Sequence, residues 1–370
     1  MSVRRAKSPT STGRASRWLI RAAVGPWGVL LCFIAAGCAS RERAAELVYF
    51  PADPQIAHVV HLKSFNALGD LVPVRNGWLD VLRGRRVNPY VATPAGITFH
   101  EGHLFICDTG LNVVHDWDLA TGTAKRIGAS GDAKLATPVA VAVGPDGALY
   151  VADTSRGEVV AFDSAGGLRH RCRPPDASAY RPVAVAARGA DLYVADVVSH
   201  RIDVFNADDG RYVRSFGGIG SDPGKLYFPA GLSADGKGHL LVSDMMNSRV
   251  QKLDPEGSFR SSIGQPGNRY GDLGKPRHLA VGPDGTIFIA DSEFAHVHLF
   301  NGAGELLLLI GGESDEPGGT PMPAGVTVAT AVPEAVAAMV PAGFRSDYYL
   351  FTTSSVGSKT ISVFAVGAGP

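Results

Sequence analysis

Five similar fourteen-residue stretches constrain this chain more than any other feature. "LFICDTGLNVVHDW" begins at Leu104, "LYVADTSRGEVVAF" at Leu149, "LYVADVVSHRIDVF" at Leu192, "LLVSDMMNSRVQKL" at Leu240 and "IFIADSEFAHVHLF" at Ile287. Each sets an aspartate after four mostly apolar residues, at Asp108, Asp153, Asp196, Asp244 and Asp291, so the unit recurs every 43 to 48 residues. A sixth copy, "YLFTTSSVGSKTISVF" from Tyr349, carries Thr353 in the aspartate's place. One such unit cannot bury its apolar face alone, so neighbouring units must stack.

A proline and an alternating apolar run precede every copy: "TPAGITF", "TPVAVAV", "RPVAVAA", "FPAGLSA", "KPRHLAV" and "MPAGVTV". Between run and copy lies a tight turn, clearest in the two "GPDG" segments at Gly144 and Gly282, where proline presets φ and the last glycine tolerates φ > 0. A further turn and an outer strand follow, as in "DGRYVRSFGG" (209–218). Alternation with period two, and no sustained 3.6 period, gives four short antiparallel strands per unit. Four strands repeating near 45 residues predict an all-β, six-bladed β-propeller. The sixth unit has almost no chain left for an outer strand, so "IAHVVHLKSF" (56–65) is expected to supply it, closing the ring with both termini and removing an open edge.

A chain of 370 residues with 45 glycines and 24 prolines spread along it suits one large, turn-rich architecture. Its 35 basic and 35 acidic residues cancel, which argues against nucleic acid as a partner. The first 37 residues differ in kind: six arginines and lysines precede the apolar stretch "AAVGPWGVLLCFIAAG", too short and too broken by Gly25 and Pro26 for a membrane-spanning helix. This is read as a signal peptide. It ends in "IAAGCAS", which resembles a bacterial lipobox apart from Ala35, where leucine is usual. Lipid attachment at Cys38 is therefore expected, with simple secretion and an uncleaved anchor as alternatives. Residues 38–54 are read as a tether leading into the closing segment, and 55–370 as the propeller. Ser40, rather than an aspartate, favours outer-membrane delivery by the sorting rule of enteric bacteria. Cys107 and Cys172 remain for the folded part and are expected as buried free thiols rather than a disulfide.

The pattern of proline, inner strand, "LYVAD", polar loop and "R-[VI]-x-x-[FL]" resembles the NHL-repeat family of six-bladed β-propellers. The residues carrying it are Asp196, Arg201 and Ile202 in the third unit and Asp244, Asn247, Arg249 and Val250 in the fourth. The resemblance spans Pro94 to Phe364 and, with "LVYFP" (47–51) and the lipobox, is to that family's lipid-anchored bacterial branch.

Because the same aspartate ends a strand in every complete unit, its expected role is structural: accepting loop N–H groups that the sheet ladder no longer satisfies. Arg201 and Arg249 are expected as struts to acidic or carbonyl groups. Function is sought where the repeat breaks at the channel rim. The candidates for binding there are Tyr180, Arg181, Tyr227, Arg277 and His278; where His278 stands, other units carry Gly96, Ala140, Ala184 and Gly231. A guanidinium and an imidazole near the axis suit an anion or carboxylate. His200 replaces Asn112, Gly157, Ser248 and Ala295 and is read as a loop residue contacting a neighbour. No catalytic residue, metal ligand or cofactor is assigned, since the three convergent nitrogens of a zinc site are not evident. The expectation is a non-catalytic interaction scaffold in the cell envelope whose partner is a protein or peptide. The alternative is a channel-sited metal-dependent lyase or lactonase-like hydrolase. The Ala- and Val-rich segment 330–347 is a candidate for one short helix, covering a face or contacting a partner.

Overall fold

The computed structural model describes residues 47–76, 88–176 and 178–369. The signal peptide, the lipobox and Cys38 lie outside the described residues.

Six antiparallel sheets make up the domain, numbered here as blades one to six in chain order. Their inner strands are Pro94–His100, Pro138–Val143, Pro182–Arg188, Pro229–Ala234, Pro276–Val281 and Pro323–Ala329. Each lies beside the next, and the sixth beside the first, so the ring is closed. In every blade the inner strand's proline faces the last position of the second strand, which is the repeat aspartate in blades one to five and in blade six Ser354, one residue beyond the Thr353 expected there. Proline is tolerated there because it opens an edge strand, where no ladder hydrogen bond is lost.

Blade six closes as the repeat required. Val59–Phe65 pairs antiparallel with Ile361–Ala368, setting Val59 opposite Val366 and Phe65 opposite Ile361. A further strand, Val48–Phe50, pairs outside it, so this sheet has five strands where the other blades have four. The first and last described strands are thus hydrogen-bonded into one sheet, leaving the ring without a gap.

The core lies in the seams between blades, where alternate side chains of facing sheets interdigitate. Between blades two and three, for example, Tyr150, Val159, Leu192 and Phe205 are buried together. Stacking also explains why the third position of the inner strand is small in every blade but the fifth, which has His278 there. A Cβ on Gly231 would lie 2.1 Å from the Arg277 carbonyl oxygen of the next blade, and one on Gly325 would lie 2.7 Å from that of Ala95. The segment 330–347 does contain a short helix, Glu334–Ala337, but its Val336 is fully buried in the seam core with Leu68, Leu71 and Trp117. Its apolar side is taken up internally, because four residues are too few to cover a face.

Candidate functional site

The repeat aspartates are hubs. All five are fully buried, and each carboxylate reaches back to the loop preceding its own blade's inner strand. Asp153 accepts from the N–H groups of Ala136 (2.7 Å) and Thr137 (2.9 Å), and Asp291 from Gly274 (2.7 Å) and Lys275 (3.0 Å). They also take N–H groups of their own turn, as Asp196 does from Val198 and Ser199. Charge-assisted bonds of this kind stabilise by about 1.5–3 kcal/mol each. For Asp108, burial works to raise the pKa, but hydrogen bonds from His115 and from the Ala92, Thr93 and Leu111 N–H groups bring it down to about 2. The aspartates therefore tie the inter-blade loop to the sheet and have little capacity left for chemistry. The fourth residue beyond each aspartate is left-handed in every complete blade: Asn112, Gly157, His200, Ser248 and Ala295 have φ between 51° and 61°. His200 sits on that strained corner, and its Nδ1 accepts the Phe228 N–H at 3.1 Å.

Seven residues beyond each aspartate, the third strand holds a second repeating position, and its occupants differ. His115 donates to Asp108 (3.0 Å) and Gln251 donates to Asp244 (3.1 Å). Blade three has Asp203, which accepts from Arg201 Nε at 2.8 Å but leaves Oδ2 buried without a partner. Blade five has His298, 3% exposed, with neither ring nitrogen hydrogen-bonded. Nothing on the inner strand points to this position, although counting seven residues on from each aspartate picks it out. Arg201 and Arg249 are struts as expected: Arg201 also pairs with Asp176, and Arg249 donates to Asp244 (2.9 Å) and to the Asp222 and Lys225 carbonyls.

The five rim candidates do not form one cluster. Tyr180 is buried in the seam between blades two and three, its hydroxyl unpartnered and its pKa pushed far up by burial. It is not a rim residue: its ring is buried in the core cluster that includes Cys172, Leu192 and Phe205. Arg181 is exposed and gives its backbone N–H to Asp196. Tyr227 is 41% exposed, edge-on to His200 with ring centroids 5.3 Å apart. Arg277 and His278 are adjacent on blade five's inner strand and both half-buried. Arg277 stands where the other blades carry Ala95, Val139, Val183, Ala230 and Ala324, and among the described residues its guanidinium makes no hydrogen bond or ion pair. Burial pulls its pKa below the usual arginine value.

His278 lines an axial cavity of about 240 Å³, whose wall is otherwise mainly Thr98, Ala142, Ala186, Ser233 and Thr327. Its Nδ1 lies 3.1 Å from the Val326 carbonyl oxygen and 3.4 Å from the Val326 N–H. The closer partner can only accept, so Nδ1 carries the proton and Nε2 the lone pair. Burial, reinforced by the neighbouring Arg277 charge, lowers the pKa to about 4, so the ring is neutral at pH 7. His278 thus offers one acceptor to the cavity, while Arg277, its chain neighbour on the same strand, is not among the residues that line it. Among the described residues no group of three or more His, Cys, Asp or Glu side chains is placed to hold a metal. Cys107 and Cys172 are buried free thiols, the latter pushed up to about 12 by burial.

No family model matches the chain. It is 30% identical to the brain tumor protein of Drosophila melanogaster over 139 residues, which is 36% of this chain and 13% of that protein. It is 31% identical to a probable peptidyl-alpha-hydroxyglycine alpha-amidating lyase of Caenorhabditis elegans over 98 residues, 25% of this chain and 28% of the lyase. The chain therefore spans under a third of the length of either relative. Among solved structures, a gluconolactonase from Xanthomonas campestris superposes with a TM-score of 0.55 at 14% identity, covering 86% of this chain and 97% of that one, a likeness of fold alone. The closed ring of six blades makes the fold a six-bladed β-propeller, with partial sequence likeness to those two relatives.

Proposed function

We propose that this protein is a non-catalytic binding scaffold, exported and held at a bacterial membrane, with outer-membrane delivery expected, by lipid on Cys38. In this reading it engages an envelope protein or peptide through residues that break the repeat near the channel. The observation that carries it is Arg277: a half-buried cation with no counter-ion among the described residues, beside a neutral imidazole, where five other blades have alanine or valine. Such a pair suits a carboxylate with a neighbouring N–H or O–H donor on the partner. The repeat acids are engaged by their own loops, which leaves the rim as the place for recognition. Among the described residues no helix is long and apolar enough to cross a membrane, so attachment in this proposal rests on the lipid.

A channel-sited lyase or hydrolase is the competing reading, favoured by the likeness to an amidating lyase and to a lactonase. Crosslinking with mass spectrometry in intact cell envelopes separates the two. The scaffold reading expects a recurrent protein partner, and expects Cys38→Ala to move the protein out of the membrane fraction. Stoichiometric metal in the purified protein, lost on His278→Ala, would sink it.

A further inference from the structure

Blades four and five share a loop design, in register 47 residues apart along the sequence. Each loop is pinned by one parallel bridge, Ile219 to Leu226 in blade four and Pro266 to Leu273 in blade five. Each carries a left-handed glycine at the same point, Gly224 (φ 81°) and Gly271 (φ 92°). In both, the N–H that follows this glycine donates back three residues, Lys225 to Asp222 at 2.9 Å and Asp272 to Arg269 at 3.0 Å.

What fills the space between loop and sheet differs. In blade four it is a carboxamide. Gln251 Oε1 accepts the Gly224 N–H at 2.9 Å, and its Nε2 donates to the Lys225 carbonyl at 2.6 Å and to Asp244 at 3.1 Å. Arg249 closes over it onto the Asp222 and Lys225 carbonyls. In blade five the same positions are His298 and His296. His296 bonds the Phe294 carbonyl of its own turn, and His298 bonds nothing. Among the described residues the Gly271 N–H and the Asp272 carbonyl also lack the partners that Gln251 gives their counterparts. A groove of about 500 Å³ opens there, walled by Tyr270, Phe294, Leu309 and the two imidazoles. The Tyr270 ring, at 89% exposure, stands at its side where blade four has Pro223.

We propose that this groove is a binding site for an uncharged carboxamide joined to an apolar or aromatic body. The amide takes the place that Gln251 fills in blade four: its oxygen accepts the Gly271 N–H, and its N–H donates to the Asp272 carbonyl and to the bare nitrogen of His298. The aromatic walls hold the attached body. A buried imidazole whose two nitrogens find no partner costs about 1–3 kcal/mol, and a ligand of this chemistry, by satisfying the acceptor nitrogen, removes part of that cost. A carboxylate fits worse, having no N–H to give and lying near the buried Asp272, whose charge already faces Arg269, the one cation on the groove wall. The inference holds whether or not the propeller is catalytic, since this groove is on the side of one blade and apart from the axial cavity.

The test is an NMR titration of the whole purified protein, ¹⁵N-labelled, with N-acetyl-phenylalaninamide as probe and N-acetyl-phenylalanine as its charged counterpart. The amide is expected to shift the Gly271 backbone and His298 ring resonances saturably, and the acid to bind at least about tenfold more weakly. The double variant His296→Arg with His298→Gln installs blade four's own pair, so it is expected to stay folded and lose the response. Tyr270→Ala alters only an exposed ring and is expected to weaken binding with an unchanged melting temperature. Absence of any shift at Gly271 and His298, equal binding of the acid, or undiminished binding by the filled double variant would each overturn the proposal.

Discussion

Blades four and five are built to one plan and spend it differently. In blade four the buried acid Asp244 gathers Arg249, Gln251, Asn247 and the Tyr227 N–H, and those side chains in turn clamp the loop above. In blade five Asp291 receives backbone N–H groups only, from Gly274, Lys275, Glu293 and Phe294, and the side chains that would clamp the loop are imidazoles standing free of it. Blade five also carries Arg277 and His278 on its inner strand. The hub is common to both and is scaffold; the third strand and the inner strand are where one blade is finished internally and the other left open. A repeat protein can keep its fold in this way while one unit takes on recognition.

The largest effect that could break this comparison is loss of the acid itself. Asp244→Ala takes from the largely buried Arg249 its charged partner and from Gln251 and Asn247 one acceptor each, leaving them only their bonds to the loop, at a cost of about 3–5 kcal/mol. Asp291→Ala leaves only backbone N–H groups, partly reachable by water, at about 2–3 kcal/mol. Urea midpoints of the two variants should therefore rank Asp244→Ala as the less stable; equal midpoints would show that blade four's side-chain network adds nothing.

A smaller effect sharpens it through pH. At the same third-strand position in blade three, burial, aided by the Asp196 charge and opposed by Arg201, raises the Asp203 carboxyl to about 7. The folded protein then holds a proton that the unfolded chain, with a carboxyl near about 4, gives up. That contribution is complete below the unfolded value and is lost as pH rises through 7. Asp203→Asn should consequently raise stability by about 1–2 kcal/mol at pH 8 and change it little at pH 4, read as melting temperature across the range. The buried imidazoles act in the opposite sense. Burial brings His298 down to about 4, as it does His278, so stability falls as pH drops from about 6.5 toward 4 while the unfolded chain takes up protons the folded one refuses.

Much of this was legible in the sequence because it is local and repeated. The spacing of Asp108, Asp153, Asp196, Asp244 and Asp291 measured the blade, and the short sixth unit implied closure by the N-terminal strand. Small residues at Gly96, Ala140 and Ala184 signalled close inner strands, so His278 stood out against them. What was not legible depends on loops folding back onto strands. Gln251 and Gly224 are 27 residues apart, and nothing in either stretch announces that one grips the other while His298 leaves Gly271 alone. Tyr180 was misplaced for a similar reason: a tyrosine beside a rim proline reads as exposed until the turn is seen to send its ring into the seam with Cys172 and Phe205. The fifth strand, Val48–Phe50, was likewise hidden in a segment that reads as the tether.

The central claim is that the repeat holds the ring together and that recognition belongs to the residues departing from it, Arg277 first. The most direct test is the yield of crosslinked partner recovered from intact envelopes by Arg277→Ala relative to wild type, at matched amounts of folded protein. The account predicts a yield reduced by about tenfold or more with an unchanged melting temperature, since the guanidinium makes no internal bond to lose. An undiminished yield from the folded variant would contradict it.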